Sequence, residues 1–197
     1  VNWSLRDLAN LEAALAYVPE KRVAVQAGGN VGIFPRRLAE VFTTVYTFEP
    51  DAKMFGQLCL NAPADNIWKW CAVLGDDREP VKLSSERRDD SGRPSHPGLT
   101  HVVGQSGPGP LVPQMRIDDL HLDGCDLIYL DVEGYELHAL RGAMQTIERF
   151  RPVIVAEVNR HINWYGTSED SLRKWVISFG YKAAQRINSD EVFIPCP

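Results

Sequence analysis

The 197-residue chain has no apolar run long enough to span a bilayer, so no membrane partner is expected of it. No stretch resembles a signal peptide, which leads to the expectation of a cytoplasmic protein. Asn2-Trp3-Ser4 fits a glycosylation sequon, a match without meaning unless the chain is secreted. The sequence has no CxxC pair. Its four cysteines, Cys59, Cys71, Cys125 and Cys196, are scattered and read as free or buried thiols rather than as a disulfide or zinc framework. Positive charge is not in excess: the net charge of -5 argues against a phosphate-backbone binder, and no nucleic-acid partner is expected. There is no internal repeat and no P-loop lysine, and the glycines do not fall at the G-x-G-x-x-G spacing of a dinucleotide site.

What remains has the composition of a globular protein, with 44% hydrophobic and 24% charged residues. The length suits one domain over residues 1–197 with a sizeable core. The most informative stretch is Val23 to Asp51. An apolar run, Val23-Ala24-Val25, meets a glycine-rich turn, Gly28-Gly29-Asn30-Val31-Gly32. A helix-like segment follows, then a second apolar run ending on Glu49. Strand, glycine turn, helix, strand and acid form half of a nucleotide-binding fold. The turn lets backbone approach a ligand closely, and the acid at the next strand's tip can accept from both ribose hydroxyls.

Periodicity places helices over residues 5–18 (Leu5, Leu8, Leu11 and Leu15 on one face, Ser4 as N-cap, Pro19 as stop) and 31–41. Further helices are expected over 51–60 with Asp51 as cap, over 135–147 with Leu137, Leu140, Met144 and Ile147 on one face, and over 168–179. Strands are expected at 23–26, 44–48, 67–73, 81–83, 126–131 and 153–158, and a closing antiparallel pair at 181–186 and 191–194. The alternation indicates an α/β sandwich with a mostly parallel sheet. Residues 84–113 stand apart as a loop dense in glycine and proline, of a length that is usually functional or disordered. It precedes the 126–131 strand and carries Arg87, Arg88 and Arg93 among Glu86, Asp89 and Asp90, which suggests a cover for an acceptor substrate.

The nucleotide can be narrowed from the turn itself. Asn30 holds the second glycine's place, so the pyrophosphate cradle is altered, and a ligand with a ribose but no phosphate fits better. S-adenosylmethionine is such a ligand. The blocks QAGGNVG, FEPD, IYLDVEGYELHALRGA and RPVIVAEVN together resemble the FkbM family of class I S-adenosylmethionine-dependent methyltransferases, over about Val23 to Asn159. The resemblance implies a Rossmann-like class I methyltransferase sandwich and a methyl transfer, most often to the oxygen of a small hydroxyl compound or sugar. It also implies that Gly28, Gly29, Asn30 and Gly32 line the cofactor's sugar and amino-acid part. Glu49 would take the ribose hydroxyls, flanked by Pro50 and Asp51, while Cys71, Ala72 and Val73 would lie beside the adenine. Gln26 stands where the family usually has an acid, near the cofactor's methionine end. It can hydrogen-bond but offers no negative charge to an ammonium.

Candidate reacting groups lie at strand ends, where open α/β sheets bind ligands. Asp131 and Glu133 are two residues apart and in extended backbone point the same way. Two carboxylates on one side call for something positive between them, such as the sulfonium, a metal or a shared proton. Glu133 could instead cap the helix that begins near Tyr135. Glu157 and Asn159, near Asp131, offer oxygen ligands for one Mg²⁺, which would lower the pKa of an acceptor hydroxyl. His161 is the histidine nearest the site along the chain and a candidate base alongside Asp131 and Glu133. His138 is expected to be solvent-facing or structural, while His96, His101 and His121 belong to no constellation. Trp164 and Tyr165 offer a stacking wall or ordinary packing. Two other functions stay open on these residues: a catalytically silent cofactor-binding or scaffold module, motivated by Gln26, and a methyltransferase acting on a macromolecule.

Overall fold

Strand β1 (Val23–Ala27) lies inside a seven-stranded sheet, and cores on either side bury both of its faces. Alternate residues of the strands feed two cores. Val25 and Ala27 join one with Ile128, Leu130, Ile154 and Ala156, whereas Ala24 joins the other with Val45, Leu127, Tyr129 and Val155. Strands buried on both faces read as continuous apolar runs, as LIYL in β9 (Leu127–Leu130) does. The computed structural model describes residues 3–84 and 100–197.

The sheet contains β2 (Thr44–Phe48), β3 (Ile67–Trp70), β9 (Leu127–Leu130), β10 (Val153–Glu157), β11 (Tyr181–Ile187) and β12 (Asp190–Pro195) besides β1. Its order is β11-β12-β10-β9-β1-β2-β3. The five strands from β10 to β3 are mutually parallel; β12 runs antiparallel to β10, and β11 antiparallel to β12. Strand order reverses between β1 and β9, so the tips of these strands splay into a crevice at the switch point. Helices α1 (Trp3–Leu15), α2 (Ile33–Ala39) and α3 (Ala52–Asn61) lie on the β1–β3 side of the chain order, and α4 (Glu136–Arg141), α5 (Met144–Phe150) and α6 (Glu169–Ser178) follow β9 and β10. Among the described residues, no helix is long and apolar enough to cross a membrane. All four cysteines are free thiols.

The expected α/β sandwich, mostly parallel sheet and closing antiparallel pair are all present. Asp51 caps α3 as expected, its carboxylate accepting from the N–H groups of Lys53 and Met54. Four local expectations need correction. Helix α1 starts at Trp3, which puts Ser4 inside it rather than at its cap. The helix expected over 135–147 is two helices. Asp118 accepts from the N–H groups of Gln145 and Thr146 and so starts α5 anew, and Met144 turns outward, 43% exposed. The strand expected over 67–73 ends at Trp70; Val73–Leu74 (β4) pairs instead with Gln114–Met115 (β8). The stretch 84–113 is not loop throughout. His101–Gly104 (β6) and Leu111–Val112 (β7) flank Val81–Ser84 (β5) in a three-stranded antiparallel sheet. The arginines and acids of that stretch, Glu86 to Arg93, and His96 lie outside the described residues.

Candidate functional site

The tips of β1, β2 and β9 surround a cavity of about 310 Å³. Its floor is Ala27 to Val31, one wall is Phe48, Glu49 and Pro50, the opposite wall is Asp131, Val132, Glu133 and Tyr135, and Leu83, Thr100, His101 and Val102 close it above. Most of the wall is apolar and a few carboxylates converge on it, the usual make-up of a small-molecule site.

The glycine turn has a steric cause. Gly28 has φ +83°, and a Cβ on it would lie 1.9 Å from the carbonyl oxygen of Asp131. The end of β1 therefore runs closer to the end of β9 than a side chain permits. The N–H groups of Gly28 and Gly29 both donate to the Phe48 carbonyl, which ties the turn to β2. A Gly28→Ala variant is expected to lose at least about 2 kcal/mol from the left-handed backbone alone, before the overlap is counted. Thermal melting should show a drop of roughly 5–10 °C, and an unchanged midpoint would refute this account of the turn.

Glu49 is 7% exposed and held by backbone. One carboxylate oxygen accepts from the N–H of Asn30 (2.7 Å) and the other from the N–H of Asp51 (2.8 Å). Each oxygen keeps a second lone pair, so the group can still accept two hydrogen bonds from a vicinal diol. Burial raises its pKa, and the two N–H bonds pull the other way. Asn30 reaches into the turn with φ +45°, a left-handed conformation that asparagine tolerates better than most residues.

The remaining expected cradle residues divide. Gly29, Asn30, Pro50, Ala72 and Val73 line the cavity with Gly28 and Glu49. Gly32 does not; it precedes α2 with φ +94°. Asp51 and Cys71 line a neighbouring hollow bordered by Pro108 to Pro113. Burial raises the Cys71 thiol's pKa, with Glu49 and Asp51 adding to it. Gln26 also departs from expectation. Its side chain is fully buried below the turn, accepting from the Thr47 hydroxyl (2.6 Å) and donating to the Ala27 carbonyl (3.0 Å). Strand alternation explains this: Ala27 faces the cavity side and Gln26 the opposite core.

At the other wall, Asp131 follows the last residue of β9, and desolvation in the cleft pushes its carboxyl well above the usual range. Glu157 raises it further, followed by Glu133, Asp190 and Glu136. Glu157 is also raised, first by burial and then by Glu133, while Ser189 and Asn159 hydrogen-bond its carboxylate. Glu133 does not continue the strand direction. Its φ of +55° swings the side chain toward His161, whose Nδ1 lies 2.9 Å from Oε2. The His161 ring stacks on Trp164 at 4.2 Å, and its backbone N–H donates to Asn159 Oδ1. Asp131, Glu133, Glu157 and His161 are thus brought together, as expected, from three separate segments. Asn159 does not serve as an oxygen ligand beside Asp131: its Oδ1 caps the 3-10 helix Arg160–Tyr165. The proposed Mg²⁺ set of Asp131, Glu157 and Asn159 therefore loses a member, and nothing supports Mg²⁺ here.

Sequence reasoning missed two parts of the site. Glu136 ties down the loop before α4: its Oε1 accepts from the N–H groups of Val132 and Gly134, while Oε2 has no partner among the described residues and the residue is fully buried. The signal was the third acid of the D-V-E-G-Y-E phrase, three residues after Glu133. His101, Val102 and Leu83 roof the cavity; the alternating Val81-Lys82-Leu83 pattern hinted at a strand, but the surrounding prolines and glycines hid its partners. His101 also contacts Trp164 (5.2 Å between rings), and Tyr165 Oη donates to the Val102 carbonyl, so Trp164 and Tyr165 serve mainly as packing under this roof. His138 is structural, bonded through Nδ1 to Asp76 and stacked on Tyr135 at 4.3 Å.

Comparison with known proteins gives the same outline. The sequence model described as the methyltransferase FkbM domain matches residues 27–183. No curated protein matches. Among solved structures, the fold is similar to a methyltransferase FkbM from Methylobacillus flagellatus KT, at 18% identity and a TM-score of 0.57, over 88% of this chain and 43% of that one. The chain thus spans less than half the length of that protein. A magnesium protoporphyrin IX methyltransferase from Synechocystis PCC 6803 with bound SAM aligns over 100% of this chain and 85% of its own, at 13% identity and a TM-score of 0.53. A ribosomal protein L11 methylase from Lactobacillus delbrueckii subsp. bulgaricus aligns over 98% of this chain and 79% of its own, at 8% identity and a TM-score of 0.56. At such identities the likeness is one of fold: the class I methyltransferase fold.

Proposed function

From the premise that this chain belongs to the FkbM family of methyltransferases, we propose that it transfers a methyl group from S-adenosylmethionine to a hydroxyl of a small molecule or sugar. The observation that carries this reading is one continuous cavity with Glu49, lone pairs free for a ribose, on one wall and Asp131 with Glu133 on the other. S-adenosylmethionine would supply an electrophilic methyl on a sulfonium that departs as a neutral thioether. Gly28, Gly29 and Asn30 would pass under its sugar and amino-acid part, Glu49 would accept from the ribose, and Phe48, Ala72 and Val73 would flank the adenine. The negative charge that Gln26 does not provide to the amino-acid end would come from Asp131.

The acceptor's hydroxyl oxygen would enter from the His161 side. That oxygen would take up the methyl group the cofactor supplies, the carbon–sulfur electron pair staying on sulfur. The hydroxyl proton passes to Asp131 or to His161. Because His161 Nδ1 faces the Glu133 carboxylate, Nδ1 carries the hydrogen and Nε2 is left as the accepting nitrogen. The base contributes roughly 10²–10⁴-fold; alignment in a desolvated cleft contributes the larger share.

Calorimetry with S-adenosylmethionine and S-adenosylhomocysteine tests the premise, since folded protein that binds neither would overturn it. For the chemistry, Asp131→Asn should weaken S-adenosylhomocysteine roughly 10-fold, through the lost contact with its ammonium, while turnover of an accepted hydroxyl compound at saturating cofactor falls at least 100-fold. Full turnover in that variant would remove Asp131 from the reaction.

A further inference from the structure

Glu133, Glu157 and His161 each offer a ligand atom, and these atoms all lie within 4.8 Å of one another. They come from the loop after β9, the last residue of β10 and the 3-10 helix after it. No local helical or strand repeat brings them together. We propose that these three side chains hold one first-row divalent metal ion of the Mn²⁺ or Zn²⁺ type, placed to receive the acceptor oxygen.

Spacing supports the ligand set. An octahedral ion with bonds of about 2.1 Å puts neighbouring ligand atoms roughly 3.0 Å apart, and Glu133 Oε2 and His161 Nδ1 already stand 2.9 Å apart. Their hydrogen bond holds the pair at ligand spacing; when the ion binds Nδ1 the hydrogen there moves to Nε2, and the acceptor's proton is then left to Asp131. The three side chains are also pinned from outside the set, as metal ligands generally are. Ser189 and Asn159 hydrogen-bond Glu157. His161 is fixed by Trp164 on its ring face and by Asn159 at its backbone N–H. Gly134, at φ +94°, lets the Glu133 loop press onto the His161 backbone, where a Cβ would lie 2.4 Å from the His161 carbonyl carbon. Behind them Glu136 is fully buried and keeps an unpartnered Oε2.

The donor set also selects the ion. Mg²⁺ keeps oxygen ligands and much of its water, whereas an imidazole with two carboxylates suits Mn²⁺, Fe²⁺, Co²⁺ or Zn²⁺. All three ligand residues are partly open to solvent, which leaves coordination positions for water or an acceptor hydroxyl. The service to the acceptor rests on the methyl-transfer reading of the cleft; the ion site stands on the three side chains alone.

The test is Mn²⁺ titration of the full chain followed by electron paramagnetic resonance, with S-adenosylhomocysteine calorimetry on the same samples. One saturable Mn²⁺ per chain is expected, with spin-echo modulation from a directly bound ¹⁴N. Glu157→Gln and His161→Gln should each weaken Mn²⁺ at least 10-fold, and His161→Gln should abolish the nitrogen signal. S-adenosylhomocysteine affinity should stay within threefold in both. If Glu157→Gln does not fold, His161→Gln, at a partly exposed position, gives the same answer. Protein that binds S-adenosylhomocysteine but shows no saturable Mn²⁺ or Zn²⁺ overturns the ion site and leaves the methyltransferase reading intact. Mn²⁺ binding that both variants retain also overturns it. Protein that binds Mn²⁺ through ¹⁴N but neither S-adenosylmethionine nor S-adenosylhomocysteine supports the ion and sinks the methyl-transfer reading.

Discussion

A Glu49→Gln variant should bind S-adenosylhomocysteine about 100-fold more weakly than wild type, while its melting temperature changes little. Both Glu49 oxygens accept from backbone N–H groups, those of Asn30 and Asp51. An amide cannot accept at both ends. Whichever way it is turned, its NH₂ faces a backbone N–H, and the side chain must rotate away or lose a bond. The acceptor pattern offered to the ribose is then broken as well. Hydrogen bonds to a charged acceptor are worth about 1.5–3 kcal/mol each, so losing one or two accounts for the expected factor. The pH dependence has a definite sign. The group's pKa is raised by burial, and the form that accepts from the ribose is the carboxylate. Affinity should therefore fall as the pH drops through that raised pKa and level off above it. Calorimetry across a pH series reads both effects, and a variant affinity within threefold of wild type would take Glu49 out of cofactor recognition.

The second large effect concerns Glu136. Burial pushes its carboxyl up to about 8, against two helpful backbone N–H bonds at one oxygen. The folded state holds a proton that the unfolded chain releases in the ordinary carboxylate range. Its contribution is thus fully present below that range, is lost as pH rises toward about 8 and is flat above it. The difference amounts to roughly 3–5 kcal/mol. Glu136→Gln keeps an oxygen for the Val132 and Gly134 N–H groups and cannot ionise. It should match wild type near pH 5 and exceed its stability by several kcal/mol at pH 9. Denaturant unfolding of both proteins across that range is the measurement, and parallel curves would show that Glu136 is not held neutral. A slope that survives the substitution belongs to Asp131 and Glu157, which burial raises in the same direction.

Much of the fold was readable from the chain because its signals are local. A three-residue apolar run, a glycine turn and an acid one strand later lie within 30 residues, and the period-2 and period-3.6 patterns mark their neighbours. The Asp51 cap and the terminal hairpin were readable for the same reason. Errors fell where local signals were silent or conflicting. Helical periodicity ran through Gly142 and Ala143 without a break, since the break is imposed by Asp118 from outside the helix. Prolines and glycines in 84–113 concealed β6 and β7, whose pairing with β5 depends on partners well separated along the chain.

The sequence by itself determined a mostly parallel α/β sheet, a glycine turn at the end of its first strand, and acids at the ends of the central strands. These follow from residue types at strand ends, and the parallel sheet fixes where strand ends go. Only the tertiary structure decided how those groups face one another. Gln26 turns into the core because alternation puts Ala27 on the cavity side. Glu133 meets His161, 28 residues away, because a left-handed residue redirects the chain after β9. Glu136, rather than Glu133, ties down the loop because it alone is buried beneath the Val132 and Gly134 N–H groups. Side-chain direction depends on register, backbone handedness and burial, and these are properties of packing that no short stretch of sequence contains.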